Sequence, residues 1–304
     1  MTTTRRQHYV WRGYLRSWAS NDLIYCLRAG KIFRPNLMGV AQERDFYKLH
    51  DLTPEEVKYL ENFCSVQPEP LRTINLRWVR VFTLLFDRQR DLIEKGYSPD
   101  QINKAIDRLA IIEEEKYHME IENGAVGHLQ SLLRGDASFF QNGQMMVKFL
   151  QYVCIQYTRT KNLKARALER SSQFAGVNPE NVWNVLSHIV ATSLTRSLVA
   201  ESYQLHFLRP EGGAVFITGD QPVINVRNTA TDPDDVPNEL DLYYPISPKL
   251  ALLIATEPPD DTWLTDEKVG AYNWHMQRHS HTQLYAHEAH VLEPFRQDNA
   301  AVET

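Results

Sequence analysis

Cysteine is scarce in this chain. Cys26, Cys64 and Cys154 stand far apart among 304 residues. An odd, widely spaced set fits reduced, buried thiols and not a disulfide framework. No apolar run reaches the roughly 20 residues that a membrane-crossing helix needs. The opening Met1-Thr2-Thr3-Thr4-Arg5-Arg6 leads into polar and aromatic residues, without the apolar stretch of a secretory signal. A cytoplasmic protein with no membrane partner is therefore expected. Also missing are a Gly-rich phosphate loop, a nucleophile elbow and a Cys/His zinc pattern. Those absences count against NTPases, α/β-hydrolases and zinc fingers.

What is present points to a folded enzyme-sized unit. A hydrophobic fraction of 43% and an aromatic fraction of 11% supply a large core. Charge is unevenly spread. Residues 1–210 hold 28 Lys/Arg against 22 Asp/Glu, whereas residues 211–267 hold 2 against 12. The basic part suits an anionic ligand, nucleotide or nucleic acid. Mutual attraction between the two parts, or a merely soluble acidic surface, accounts for the same numbers.

Local grammar changes twice along the chain. In the first 50 residues, Leu23–Leu27 and Lys31–Arg34 flank Arg28-Ala29-Gly30 and read as a hairpin. Residues 51–209 read as helical. Thr53-Pro54-Glu55-Glu56 is a capping box with Pro at the first helical position, and Ser98-Pro99 and Asn178-Pro179 repeat the signal. Apolar periodicity then predicts helices over 71–92, 102–133, 145–168 and 182–208. From 210 to 293 the period shortens. Ala214–Thr218, Leu242–Ile246 and Leu250–Ile254 read as strands, 228–237 as a polar loop, Thr265 as a helix start and 286–292 as a final strand. The terminal residues, 294–304, read as a tail. The expected fold is α+β in one domain spanning 1–304. Its large helical middle segment is flanked by strands from both ends that join in a sheet.

Several groupings could carry chemistry. His8 sits in an aromatic frame and suits a general base, a metal ligand or a phosphate donor; it equally suits a buried staple. Asp220 follows a buried strand in Thr218-Gly219-Asp220-Gln221-Pro222 and is either a catalytic or metal-binding carboxylate or the acceptor of an Asx-type turn. Gln156, Arg159 and Thr160 share one helix face at i, i+3 and i+4, where a guanidinium can clamp an anion; an internal pair with Asp220 or another acid is the alternative. The basic run Lys161, Lys164, Arg166 and Arg170 would extend that helix. Glu115, His118 and Glu122 form half of a di-iron pattern but read foremost as a solvated charged face. His275, His279, His281, His287 and His290 read as surface histidines. Arg44 and His50 have the spacing of a ribonuclease Arg…His pair, on a segment unlike the bundle helix such pairs occupy.

Taken in order, these motifs resemble a bacterial family catalogued as domain of unknown function 4238. His8-Tyr9-Val10-Trp11 with Tyr14-Leu15 and Trp18 resembles its "HYVP…YL…F", Trp11 standing for the proline. Gly39–Tyr47 is similar to its stretch after the hairpin, and Gln156–Thr160 to its "Q…RT" helix. Phe216–Val223 resembles "FITSDNPV", with Gly219 for the serine, and Tyr244–Pro248 resembles "PLSP". Asn273 falls at the asparagine of its last helix. The resemblance implies that His8, Gln156, Arg159, Asp220 and Asn273 belong together, with His8 and Asp220 as catalytic candidates, Gln156 and Arg159 as anion-binding ones and Asn273 in support. It implies no activity, metal or cofactor. Two readings stay open: a hydrolase acting on a phosphodiester or nucleotide, resembling a nuclease effector, and a non-catalytic sensor or interaction module whose polar motifs are structural.

Overall fold

A computed structural model describes residues 5–169, 176–227 and 239–296. The expected loop at 228–237, Arg170 of the basic run and most of the expected tail lie outside these residues. The fold is α+β, with a large helical middle between strands from the two ends.

The N-terminal part comprises β1 (Arg6–His8), the one-turn helix α1 (Arg12–Leu15), β2 (Tyr25–Arg28), β3 (Lys31–Phe33) and β4 (Gln42–Arg44). The β2–β3 hairpin turns where expected. Ala29 and Gly30 both adopt positive φ, 49° and 68°, as a two-residue turn matching strand twist requires. β1 pairs antiparallel with β4.

The helices follow: α2 (Pro54–Ser65), α3 (Leu71–Glu94), α4 (Pro99–Leu133), α5 (Gly143–Thr158), α6 (Lys161–Glu169) and α7 (Pro179–Ala200). Thr53 caps α2 in a complete capping box, Ser98 precedes α4 and Asn178 caps α7, each followed by Pro. Two expectations need correction. The helix read through 145–168 breaks after Thr158, so Lys161, Lys164 and Arg166 belong to a separate helix. The helix read through 182–208 stops at Ala200. Gln204–Pro210 is instead a strand, β5, whose Leu205, Phe207 and Arg209 alternate with His206 and Leu208 as a strand demands.

The C-terminal part adds β6 (Thr218–Gly219), β7 (Ile224–Asn225), β8 (Leu242–Ser247), β9 (Leu250–Ala255), β10 (Trp263–Leu264), α8 (Asp266–His279) and β11 (Leu284–Ala286). One sheet runs β10-β5-β9-β8-β7; another runs β3-β2-β11-β6. The N-terminal hairpin thus joins C-terminal strands through β11, and Leu27 of β2 shares a hydrophobic cluster with Ile224, Tyr243 and Leu253 of the larger sheet. Most of 214–218 is extended without a ladder, and 289–295 is a 3-10 helix and not a strand. Among the described residues, no helix is long and apolar enough to cross a membrane.

Candidate functional site

The two end motifs meet through their aromatic residues. Tyr14 Oη contacts Thr218 Oγ1 at 2.6 Å and donates to the Pro245 carbonyl at 2.7 Å. Trp18 Nε1 donates to the Phe216 carbonyl, and Tyr9 Oη accepts from Gln283 Nε2. These phenols and the indole bury large apolar faces and satisfy one polar atom each. They explain why "HYV…YL…W" and "FIT…D…P" occur in one chain: each segment completes the hydrogen bonds of the other.

Asp220 belongs to this framework. Its carboxylate, wholly buried, accepts from the backbone N–H of His281, Thr282 and Gln283 at 2.7, 2.8 and 3.1 Å, and from Thr282 Oγ1 at 3.1 Å. Burial pushes its pKa above the usual carboxylate value, and the Thr282 and His281 donors pull the other way. Asn273 accepts from Ile217 N–H and donates to the Val215 carbonyl, tying α8 to the extended segment before β6. Gln221 bridges the Tyr157 and Val223 carbonyls and pairs with Thr160 Oγ1. Among the described residues, Asp220 and Asn273 therefore share no hydrogen-bond partner with His8, Gln156 or Arg159.

A different neighbourhood is left unsatisfied. Arg159, 3% exposed, caps the end of α5 and sends Nη2 to Glu122 Oε1 at 2.5 Å and to Gln156 Oε1 at 2.9 Å. The internal partner of Arg159 is thus Glu122, not Asp220. Burial opposes the guanidinium charge, but Tyr47 and Glu122 outweigh it and hold the pKa above its usual value. Burial pushes Glu122 up against the pull of Arg159. Arg159 Nε and Nη1, Gln156 Nε2, His8 Nδ1, Glu114 Oε2 and both ring nitrogens of His118 are buried without a hydrogen-bond partner. They make up seven of the eleven such atoms among the described residues. Buried polar groups are almost always paired, so this concentration marks a place where structure alone does not fix the chemistry.

Tyr47 connects the group. Its hydroxyl donates to the His8 carbonyl at 3.2 Å, and its ring lies 4.5 Å from the His118 ring. Gln7 holds Tyr47 in turn: its Oε1 accepts from Tyr47 N–H and its Nε2 donates to the Ile111 carbonyl. Above them opens a polar groove of about 550 Å³ whose lining includes His8, Arg12, Arg16, Tyr47, Lys116, His118 and Glu122. Half-buried His8 is pushed down to about 4, first by burial and then by the Arg12 charge; Val40 raises it slightly and Arg159 lowers it further. Its imidazole is consequently neutral around pH 7.

The charged face expected at Glu115, His118 and Glu122 is mostly interior. α4 turns Glu114, not Glu115, inward with His118 and Glu122 at i, i+4 and i+8. His188 of α7 joins them: its Nε2 lies 3.3 Å from Glu114 Oε1, and His118 Nε2 lies 3.5 Å from the same oxygen. Burial pushes His118 down to about 3. On the far side an apolar cavity of about 580 Å³ touches Glu114 and His188 beside Trp78, Phe82 and Leu85. Sequence reasoning missed Glu114, His188 and Gln7. The first was recoverable from phase, since Ile106, Ala110, Glu114, His118 and Glu122 recur every four residues on the buried stripe. The C-terminal histidines form no comparable grouping of metal-ligating atoms among the described residues, although His279 is buried. Arg44 is exposed and pairs with Asp45, away from His50.

A family model described as "Protein of unknown function (DUF4238)" matches residues 6–290. No curated protein and no solved structure matches the chain.

Proposed function

The chain belongs to the DUF4238 family, a membership that brings no activity with it, and we propose that the groove beside His8 is the active site of a hydrolase acting on a phosphodiester or nucleotide. The observation that carries this reading is that His8 and His118, with buried ring nitrogens lacking a hydrogen-bond partner, lie on a groove lined by Arg12, Arg16 and Lys116 together with Glu115 and Glu122. Arg12, Arg16 and Lys116 line it and suit a phosphate. His8, neutral at pH 7, accepts the proton of a water molecule as the water oxygen bonds to phosphorus. The bond from phosphorus to the leaving oxygen breaks, and the proton passes from His8 to that oxygen. Arg159, fixed by Glu122 and Gln156 beneath the groove, orders its floor and adds positive potential for the developing charge. Burial is the main reason His8 is low, with the Arg12 and Arg159 charges behind it, and the substrate's negative charge offsets those two charges.

The satisfied bonding of Asp220 and Asn273 favours a second reading, a nucleotide sensor using the same groove without turnover. The test is calorimetric binding of a panel of mono-, di- and cyclic nucleotides, followed by product analysis. The hydrolase reading expects binding that weakens in Arg12→Ala, and turnover lost in His8→Ala at unchanged melting temperature. Binding without turnover leaves the sensor. No binding at all removes both.

A further inference from the structure

We propose that Glu114, His118 and His188 form a zinc-type metal site in the wall between the polar groove and the apolar cavity. The inference shares His118 with the groove of the hydrolase reading but predicts metal binding whether or not a nucleotide is cleaved.

The geometry is that of ligands around an absent centre. Glu114 Oε1 lies 3.3 Å from His188 Nε2 and 3.5 Å from His118 Nε2, and atoms of all three residues lie within 4.8 Å of one another. Neutral N–H···O hydrogen bonds settle near about 2.9–3.0 Å. Two ligands each about 2.0–2.1 Å from a tetrahedral zinc ion sit roughly 3.3–3.4 Å apart. The two separations from Glu114 match the tetrahedral edge better than a hydrogen bond, and the ligand atoms of the two imidazoles lie within 4.8 Å of each other. All three residues are buried, with relative exposures of 6%, 3% and 3%. Glu114 Oε2 and both nitrogens of His118 have no partner, so a buried carboxylate and a buried imidazole are left with lone pairs and protons that an ion would organise.

The surroundings hold the imidazoles in place. The Trp78 ring stacks on His188 at 4.6 Å, and Trp78 Nε1 is itself fixed on Thr192 Oγ1. The Tyr47 ring braces His118 from the other side. Arg159, whose charge reaches His118, is itself engaged by Glu122 and not by Glu114. Two imidazoles and one carboxylate select a borderline transition metal over magnesium or calcium. Three protein ligands leave a fourth position open, as in catalytic and not structural zinc sites. Access exists from both sides, since His118 lines the groove and Glu114 and His188 line the apolar cavity.

The test uses the full chain, stripped with a chelator and titrated with Zn(II), Co(II) and Mg(II). The expected result is one equivalent of Zn(II) bound, a higher melting temperature with Zn(II), visible Co(II) bands of a four- or five-coordinate site, and no binding of Mg(II). His118→Ala, His188→Ala and Glu114→Gln should each weaken Zn(II) binding by more than about 100-fold, beyond the roughly 10- to 100-fold typical of outer-shell changes. His275→Ala on the α8 surface should change nothing. Absence of stoichiometric Zn(II) and of Co(II) bands in the unaltered chain overturns the proposal without reference to any variant. So does Zn(II) binding that survives in a folded His118→Ala, His188→Ala double variant.

Discussion

Asp220 and Glu114 are both buried carboxylates, and their surroundings are opposite. Asp220 accepts four hydrogen bonds from one turn. Glu114 has one oxygen shared at long range between two imidazoles and the other with nothing at all. The first arrangement has its acceptors filled and holds residues 281–283 against β6. The second is incomplete without a further species. Burial alone therefore does not distinguish a staple from a site; the number of lone pairs left over does.

The largest effect should come from breaking the complete arrangement. Asp220→Ala strands three N–H groups and a hydroxyl and should cost roughly 3–5 kcal/mol in denaturant unfolding; a loss below about 1 kcal/mol would show that the turn does not depend on Asp220. Asn273→Ala removes two bonds to buried backbone and should cost about 2 kcal/mol by the same measurement. Glu114→Gln in metal-stripped protein should change stability by less than about 1 kcal/mol, because no donor loses its only acceptor. A cost equal to that of Asp220→Ala would dissolve the contrast. The last test is in pH. Folding moves His8 from the ordinary 6.5 to about 4, so the unfolded chain binds its proton more readily. The stabilisation from His8 is full above pH 6.5 and is lost as pH falls through 4. The stability difference between the unaltered chain and His8→Gln should shrink over that window; a constant difference in pH-dependent melting curves would exclude it.

Much of the fold was legible before the structure. Thr53-Pro54, Ser98-Pro99 and Asn178-Pro179 carry their helix starts in two or three residues. Arg28-Ala29-Gly30 carries its turn. Such signals are local, and the misreadings are not. Nothing at Arg159-Thr160 forbids a continuous helix; the break is fixed by Thr160 and the Tyr157 carbonyl bonding to Gln221, which lies about sixty residues away. Gln204–Pro210 is apolar enough for a helix and becomes a strand because β9 offers a ladder. In the site, His8, Gln156 and Arg159 are visible as polar residues in apolar frames, but Glu122, the partner of Arg159, reads from sequence as part of a solvated face. Three consecutive glutamates, 113–115, look alike until the helix phase chooses one of them. His188 gives no warning, since its role arises only where α7 crosses α4.

Trp11 lines the groove, and the space for its indole is set two residues on. A Cβ at position 13 would collide with the Trp11 ring, so Gly13 exists here as the imprint of that ring. A Gly13→Ala change in this chain would displace the indole and alter the groove's mouth, and should be silent in a background already carrying Trp11→Pro.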